Sequence, residues 1–176
     1  MADINSSPNS PAGSTETESV PRAVEVIEQL FFAYRDFVGE PDAILADLGF
    51  GRAHHRVLHF VYRNPGMTVA VLLDILQITK QSLSRVLKAL IETGYIEQKE
   101  GDRDRRQRLL FTTDTGTALV EHLIAIQSTR IEGALAKLPP ADRHHVSQFL
   151  RGLMNDPATP LDVHRAAAKA SVEPSG

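Results

Sequence analysis

Apolar side chains recur mostly at three- and four-residue intervals along the chain, a helical signature with one short break in the middle. Val24, Ile27, Phe31, Tyr34 and Val38 form the stripe of an amphipathic first helix, expected to end near Gly39 and Pro41 before a short helical turn at Ile44 to Leu48. Val57, Leu58, Val61 and Tyr62 mark a second helix from about Arg52 to Arg63, stopped by Asn64-Pro65-Gly66. Thr68 is a cap candidate for a third helix carrying Val69, Leu72, Leu73 and Leu76. After Gln77 and Ile78, Thr79 is positioned to cap a fourth helix with Leu83, Val86, Leu87, Leu90 and Ile91 on one face and Gly94 at its left-handed end. The period then changes. Tyr95 to Lys99 and Arg108 to Thr112 read as strands around the polar run Glu100 to Gln107, a hairpin. Helical spacing returns at Asp114 with Leu119, Val120, Leu123, Ile124, Ile131, Leu135 and Leu138, until Pro139 and Pro140 break it. Val146, Phe149, Leu150 and Leu153 share one face of a last helix.

A short helix, a tight turn, a second helix and a hairpin make the layout of a winged helix-turn-helix. The expected class is therefore mainly α with a small β-hairpin wing. The winged helix lobe spans about 52–113, and dimerisation helices at about 22–48 and 114–154 complete a domain over 21–154. Residues 1–20 and 155–176 are rich in Ser, Pro, Thr and Ala with few large apolar groups, and are expected to be a disordered N-terminal tail and a flexible C-terminal tail, with a fraying helix at Leu161 to Val172.

Composition removes several function classes. The 176 residues are 42% hydrophobic and 23% charged and contain no cysteine, which excludes disulfides, thiolate zinc sites, iron–sulfur clusters and thiol switches. No apolar run reaches the ~18 residues of a membrane span, and no basic-then-apolar leader is present, so a cytoplasmic protein without a membrane partner is expected. No nucleophile elbow, Walker loop, zincin motif or dinucleotide fingerprint occurs. Neither an enzyme nor a cofactor is expected.

The formal charge of −3 hides a segregation. From Gln77 to Arg108 eight basic residues face five acidic ones, +3, whereas the rest of the chain holds eleven basic and seventeen acidic, −6. On the fourth helix Gln81, Ser84, Arg85 and Lys88 are spaced to lie opposite the apolar stripe, with Lys80 and Ser82 near the N-terminus. No acidic residue interrupts Thr79 to Ile91. Arg85 suits a guanine edge and Gln81 an adenine, while Lys80, Ser82, Ser84 and Lys88 suit phosphates or bases. In the hairpin, Arg103 and Arg105 suit phosphates, Arg106 suits a narrow minor groove, and Asp104 can orient Arg106.

The run from Ile78 to Gly116 resembles the core signature of the MarR family of winged helix regulators. Ser82-Leu83-Ser84-Arg85 is similar to that family's recognition segment, Gly94-Tyr95-Ile96 to its step into the strand, Asp104-Arg105-Arg106 to its wing motif, and Thr113-Asp114-Thr115-Gly116 to its end. Thr112 departs from the pattern, standing where leucine is usual. The resemblance runs from about Arg22 to Met154, and Arg52 to Thr68 is similar to the PetP-like branch. It implies an obligate homodimer on a palindromic operator in double-stranded DNA, a regulator of repressor type modulated by a small-molecule effector. The alternative is a winged helix serving as a protein-interaction module.

Phe31, Tyr34, His55, His59 and Tyr62 are candidates for an effector pocket, with Phe32 and Phe37 adding to the aromatic character of the first helix. His55 and His59 share a helix face beside His54, a spacing open to a metal, but no third ligand is set by spacing. The weightier reading is structural, with His59 in the core and His54 or His55 at a surface, and no metal is expected.

Overall fold

The computed structural model describes residues 22–101 and 107–155. The elements are α1 (Ala23–Asp47), α2 (Arg52–Arg63), β1 (Met67–Thr68), α3 (Val69–Leu76), α4 (Lys80–Glu92), β2 (Ile96–Glu100), β3 (Arg108–Thr112), α5 (Asp114–Leu135) and α6 (Arg143–Gly152). The chain divides into two compact units, 1–34 and 35–176. In the first, residues 23–34 are the opening turns of α1, with Val24, Ile27 and Phe31 exposed. All further structure lies in the second. The two expected tails fall largely outside the described residues, as does the helix at Leu161 to Val172.

The core gathers Leu45, Phe50, Val57, Leu58, Val61, Met67, Leu72, Leu76, Leu83, Leu90, Ile96, Leu110, Val120 and Leu123 from every element of the winged helix lobe and its flanks. The helical members are largely those that helical periodicity selects, whereas Phe50 comes from the loop between α1 and α2. Deleting one fully buried leucine from such a core costs about 2–5 kcal/mol. The core therefore fixes which face of α4 is left outward.

Four elements differ from the sequence reading. α1 does not stop near Gly39 but continues to Asp47 with Pro41 inside it. Val38, Pro41 and Leu45 recur at helical spacing and are buried, so packing of this face outweighs the hydrogen bond that a proline cannot donate. The expected β2–β3 hairpin of the wing is present, and the short β1 adds a third strand to it, giving an antiparallel sheet of order β1-β3-β2 with Met67 opposite Leu110 and Thr68 opposite Leu109. A two-residue strand has no period to read. β2 begins at Ile96 rather than Tyr95, because Tyr95 N–H closes the helix end on the Leu90 carbonyl at 2.8 Å. α5 ends at Leu135, and Lys137 and Leu138 turn back onto Ala134 and Leu135 before the two prolines.

The two expected caps are in place: Thr68 Oγ1 accepts from Val71 N–H at 3.3 Å and Thr79 Oγ1 from Ser82 N–H at 3.1 Å. Thr113, not singled out as a cap from the sequence, does the same for α5, its Oγ1 accepting from Gly116 N–H at 3.1 Å. Gly94, at φ +78°, follows α4 in the left-handed conformation that its sequence position anticipates. The α3–α4 turn needs the same conformation at Gln77, φ +51°, without a glycine. Its Nε2 donates to the Asp74 carbonyl at 2.5 Å, which ties the turn to the end of α3.

Candidate nucleic-acid interface

The buried stripe of α4, Leu83, Val86, Leu87 and Leu90, turns the opposite face to solvent. Lys80, Gln81, Ser84, Arg85 and Lys88 are all exposed on it, as their spacing predicts. Ser82 differs: it is half-buried, and its Oγ accepts from Thr79 Oγ1 at 2.9 Å while its N–H donates to the same hydroxyl. It is thereby occupied in starting the helix. Lys80 and Arg85 form no ion pair among the described residues, while Lys88 Nζ lies 3.7 Å from Glu92 Oε1, one turn on.

The strands of the wing are described and its tip is not: Arg103, Asp104, Arg105 and Arg106 lie outside the described residues. The strand ends are pinned by Glu100 opposite Arg108, whose Nη1 donates to Glu100 Oε1 at 2.9 Å, and by Gly101 N–H on the Gln107 carbonyl at 3.1 Å. Lys99 Nζ pairs with Glu97 Oε1 at 2.6 Å and sits 5.0 Å from the centre of the Phe111 ring. Lys88 with Glu92 was legible as a helical spacing. Glu100 with Arg108 needed the strand register.

The junction of α4, sheet and α5 is held by threonines. Thr113 Oγ1 donates to the Gly94 carbonyl at 2.6 Å, and Thr113 N–H to the Tyr95 carbonyl at 3.2 Å. Thr112, the departure from the family pattern, is half-buried with its hydroxyl 2.9 Å from that of Thr117. The polar substitution is thus satisfied locally.

Of the effector candidates, Phe31 and Tyr34 lie in the first unit and His55, His59 and Tyr62 in the second. Tyr62 Oη donates to Glu121 Oε1 at 2.9 Å, linking α2 to α5, and the carboxylate beside it raises the phenol pKa. His54 stacks on Phe50 and accepts from Gly51 N–H at 3.1 Å, closing the start of α2. His59 is half-buried rather than in the core. Among the described residues no group of three or more His, Asp or Glu is placed to hold a metal ion.

Burial holds the His55 and His59 rings below the ordinary imidazole range; Asp42 opposes the shift at His55, whereas His55 and Arg63 reinforce it at His59. The folded chain therefore binds fewer protons than the unfolded one. Their contribution to stability is complete above about pH 6.5, the unfolded value, and is lost as pH falls through the lower folded values. Thermal unfolding across this window should show a falling Tm on acidification, with a shallower fall in a His55→Gln/His59→Gln variant; identical slopes would contradict the assignment.

A family model described as the MarR family matches residues 48–107. The HTH-type transcriptional regulator PetP of Rhodobacter capsulatus is 45% identical over 132 residues, covering 75% of this chain and 79% of that protein. The chain belongs to the MarR family of transcriptional regulators. Among solved structures, Streptococcus pneumoniae FabT in complex with DNA superposes with a TM-score of 0.67 at 16% identity, covering 75% of this chain and 94% of that one. A putative MarR family regulator from Listeria monocytogenes, complexed with a 26mer DNA, gives 0.62 at 22% identity, covering 72% and 85%. These likenesses establish the winged helix fold of this MarR-family chain. Its family consists of transcription factors rather than enzymes, and among the described residues no helix is long and apolar enough to cross a membrane.

Proposed function

We propose that this MarR-family chain is a homodimeric, sequence-specific reader of double-stranded DNA that occupies a palindromic operator as a repressor and responds to a small-molecule effector. The observation that carries the DNA reading is the outward face of α4: Lys80, Gln81, Ser84, Arg85 and Lys88 exposed together, opposite a stripe that the core holds rigid. Arg85 and Gln81 are assigned to base edges, Lys80, Ser84 and Lys88 to phosphates or bases, and Arg103, Arg105 and Arg106 of the wing to the backbone and minor groove. Ser82 acts through the helix cap.

The dimer reading rests on α6, which has no buried residue. Val146, Phe149 and Leu150 line one of its faces and Leu153 follows at its C-cap, each exposed by 36% or more. A face of that kind is a docking surface, and regions 22–48 and 114–154 are assigned to it. Two α4 helices about 34–36 Å apart then enter successive major grooves. An effector acts by binding one spacing of the two lobes more tightly than the other.

Fluorescence anisotropy on a selected pool of duplexes at two salt concentrations tests the reading, with sedimentation reporting assembly. Enrichment of a palindrome with salt-dependent binding is expected. Phe149→Asp/Leu150→Asp should yield a monomer that loses the palindrome. A wild-type monomer, or binding without salt dependence, would instead mark a protein-interaction module.

A further inference from the structure

Among the described residues, the cations of α4 and of the wing strands fall into two groups. Among the described residues, Lys80 and Arg85 on the reading face of α4 form no ion pair. Lys88, Lys99 and Arg108, at the end of α4 and along the wing strands, each have a carboxylate partner: Glu92 at 3.7 Å, Glu97 at 2.6 Å and Glu100 at 2.9 Å. The three carboxylates come from different places in the fold, one a helical turn from its partner, one two residues along the same strand, one across the sheet register.

Folding does not explain these pairs. Both members of each are about half exposed or more, between 45% and 74%, and ion pairs so exposed contribute little to stability. Their consequence is electrostatic. A duplex is recognised first through its phosphates, and any exposed cation near the reading surface raises affinity for every sequence equally. A cation already facing a carboxylate gains less from a phosphate, because the carboxylate must be displaced beside a polyanion. Affinity that depends on loosely placed peripheral cations is thereby reduced more than affinity that depends on Arg85 or Lys80.

We infer that Glu92, Glu97 and Glu100 are specificity-determining residues, which hold down binding to non-operator DNA by neutralising Lys88, Lys99 and Arg108 at the edge of the reading surface. This rests on the DNA reading proposed above. On an operator, base contacts by the α4 face fix the dimer in one register, and the close phosphates can then draw the peripheral cations from their partners. On random sequence no such register is held, and the pairs persist. Specificity is a ratio, and it rises when the non-specific term falls.

The test uses the full-length protein and two duplexes, one enriched from a random pool by the wild type and one scrambled. Anisotropy across a salt series is measured for Glu92→Gln, Glu97→Gln, Glu100→Gln and the triple variant, with Glu132→Gln, exposed towards the far end of α5, as a control for net charge. The triple variant should bind the scrambled duplex on the order of tenfold more tightly, with a salt slope steeper by about two to three, while operator affinity rises less and the specificity ratio falls. The control should leave the ratio unchanged. Thermal unfolding of the variants should match the wild type, so that altered binding is not altered folding. An unchanged ratio in the triple variant, an equal gain on both duplexes, or an equal effect of Glu132→Gln would overturn the assignment. A wild type that enriches no duplex from the pool overturns the DNA reading, and this inference with it.

Discussion

Gly116→Ala is expected to lower stability by at least about 3 kcal/mol, at the upper end of what overpacking costs, because the obstacle is backbone and not a movable side chain. A Cβ at this position falls on the Tyr95 carbonyl oxygen and within 2.9 Å of its carbonyl carbon. The same oxygen accepts the Thr113 N–H, so the peptide cannot rotate away without breaking the start of α5. Withdrawing α5 would in turn loosen Val120 and Leu123 from the core. At roughly 2–4 °C per kcal/mol for a chain of this size, Tm should drop by about 6–12 °C. Gly133→Ala on the same helix has nothing within 4 Å and supplies the contrast: it should be neutral or stabilising by up to about 1 kcal/mol. Equal unfolding curves for the two variants would refute the close approach.

Arg85→Ala should reduce operator affinity by about 1–3 kcal/mol, roughly fivefold to 150-fold, and relax preference at one base position in each half-site. Arg85 sits on the exposed face one residue before buried Val86, so its removal leaves the core intact and the loss is read in binding alone. Lysine is not a substitute, since it lacks the planar fork that grips a guanine edge. Lys88→Ala, which removes a phosphate contact, should leave the preference at every base position unchanged and make the salt slope on the operator shallower by about one. A selected-pool experiment with each variant separates the two. Equal losses on operator and scrambled DNA for Arg85→Ala would remove it from base reading and leave it a phosphate contact.

Much of the lobe was legible residue by residue. Thr68 and Thr79 announce helix starts because a hydroxyl before an apolar stripe satisfies otherwise orphaned N–H groups, and both do so. The outward set Lys80, Gln81, Ser84, Arg85 and Lys88 follows from the period of the buried leucines. The cap hydrogen bonds of Ser82 with Thr79 were not legible, because they lie in the local geometry and not in the spacing. The continuation of α1 through Pro41 was missed because propensity is local, whereas the burial of Val38, Pro41 and Leu45 depends on elements far along the chain.

The sequence by itself determined the helical stripes, the caps, the basic segment and the family, because each is written in spacing or residue type over short distances. Only the tertiary structure decided the pairing of β1 with β3, the seat of Gly116 against Tyr95, and the partnering of Arg108 with Glu100. Those depend on strand register and on the approach of segments distant in the chain. Neither is encoded in a local period; both emerge when the apolar stripes are buried together.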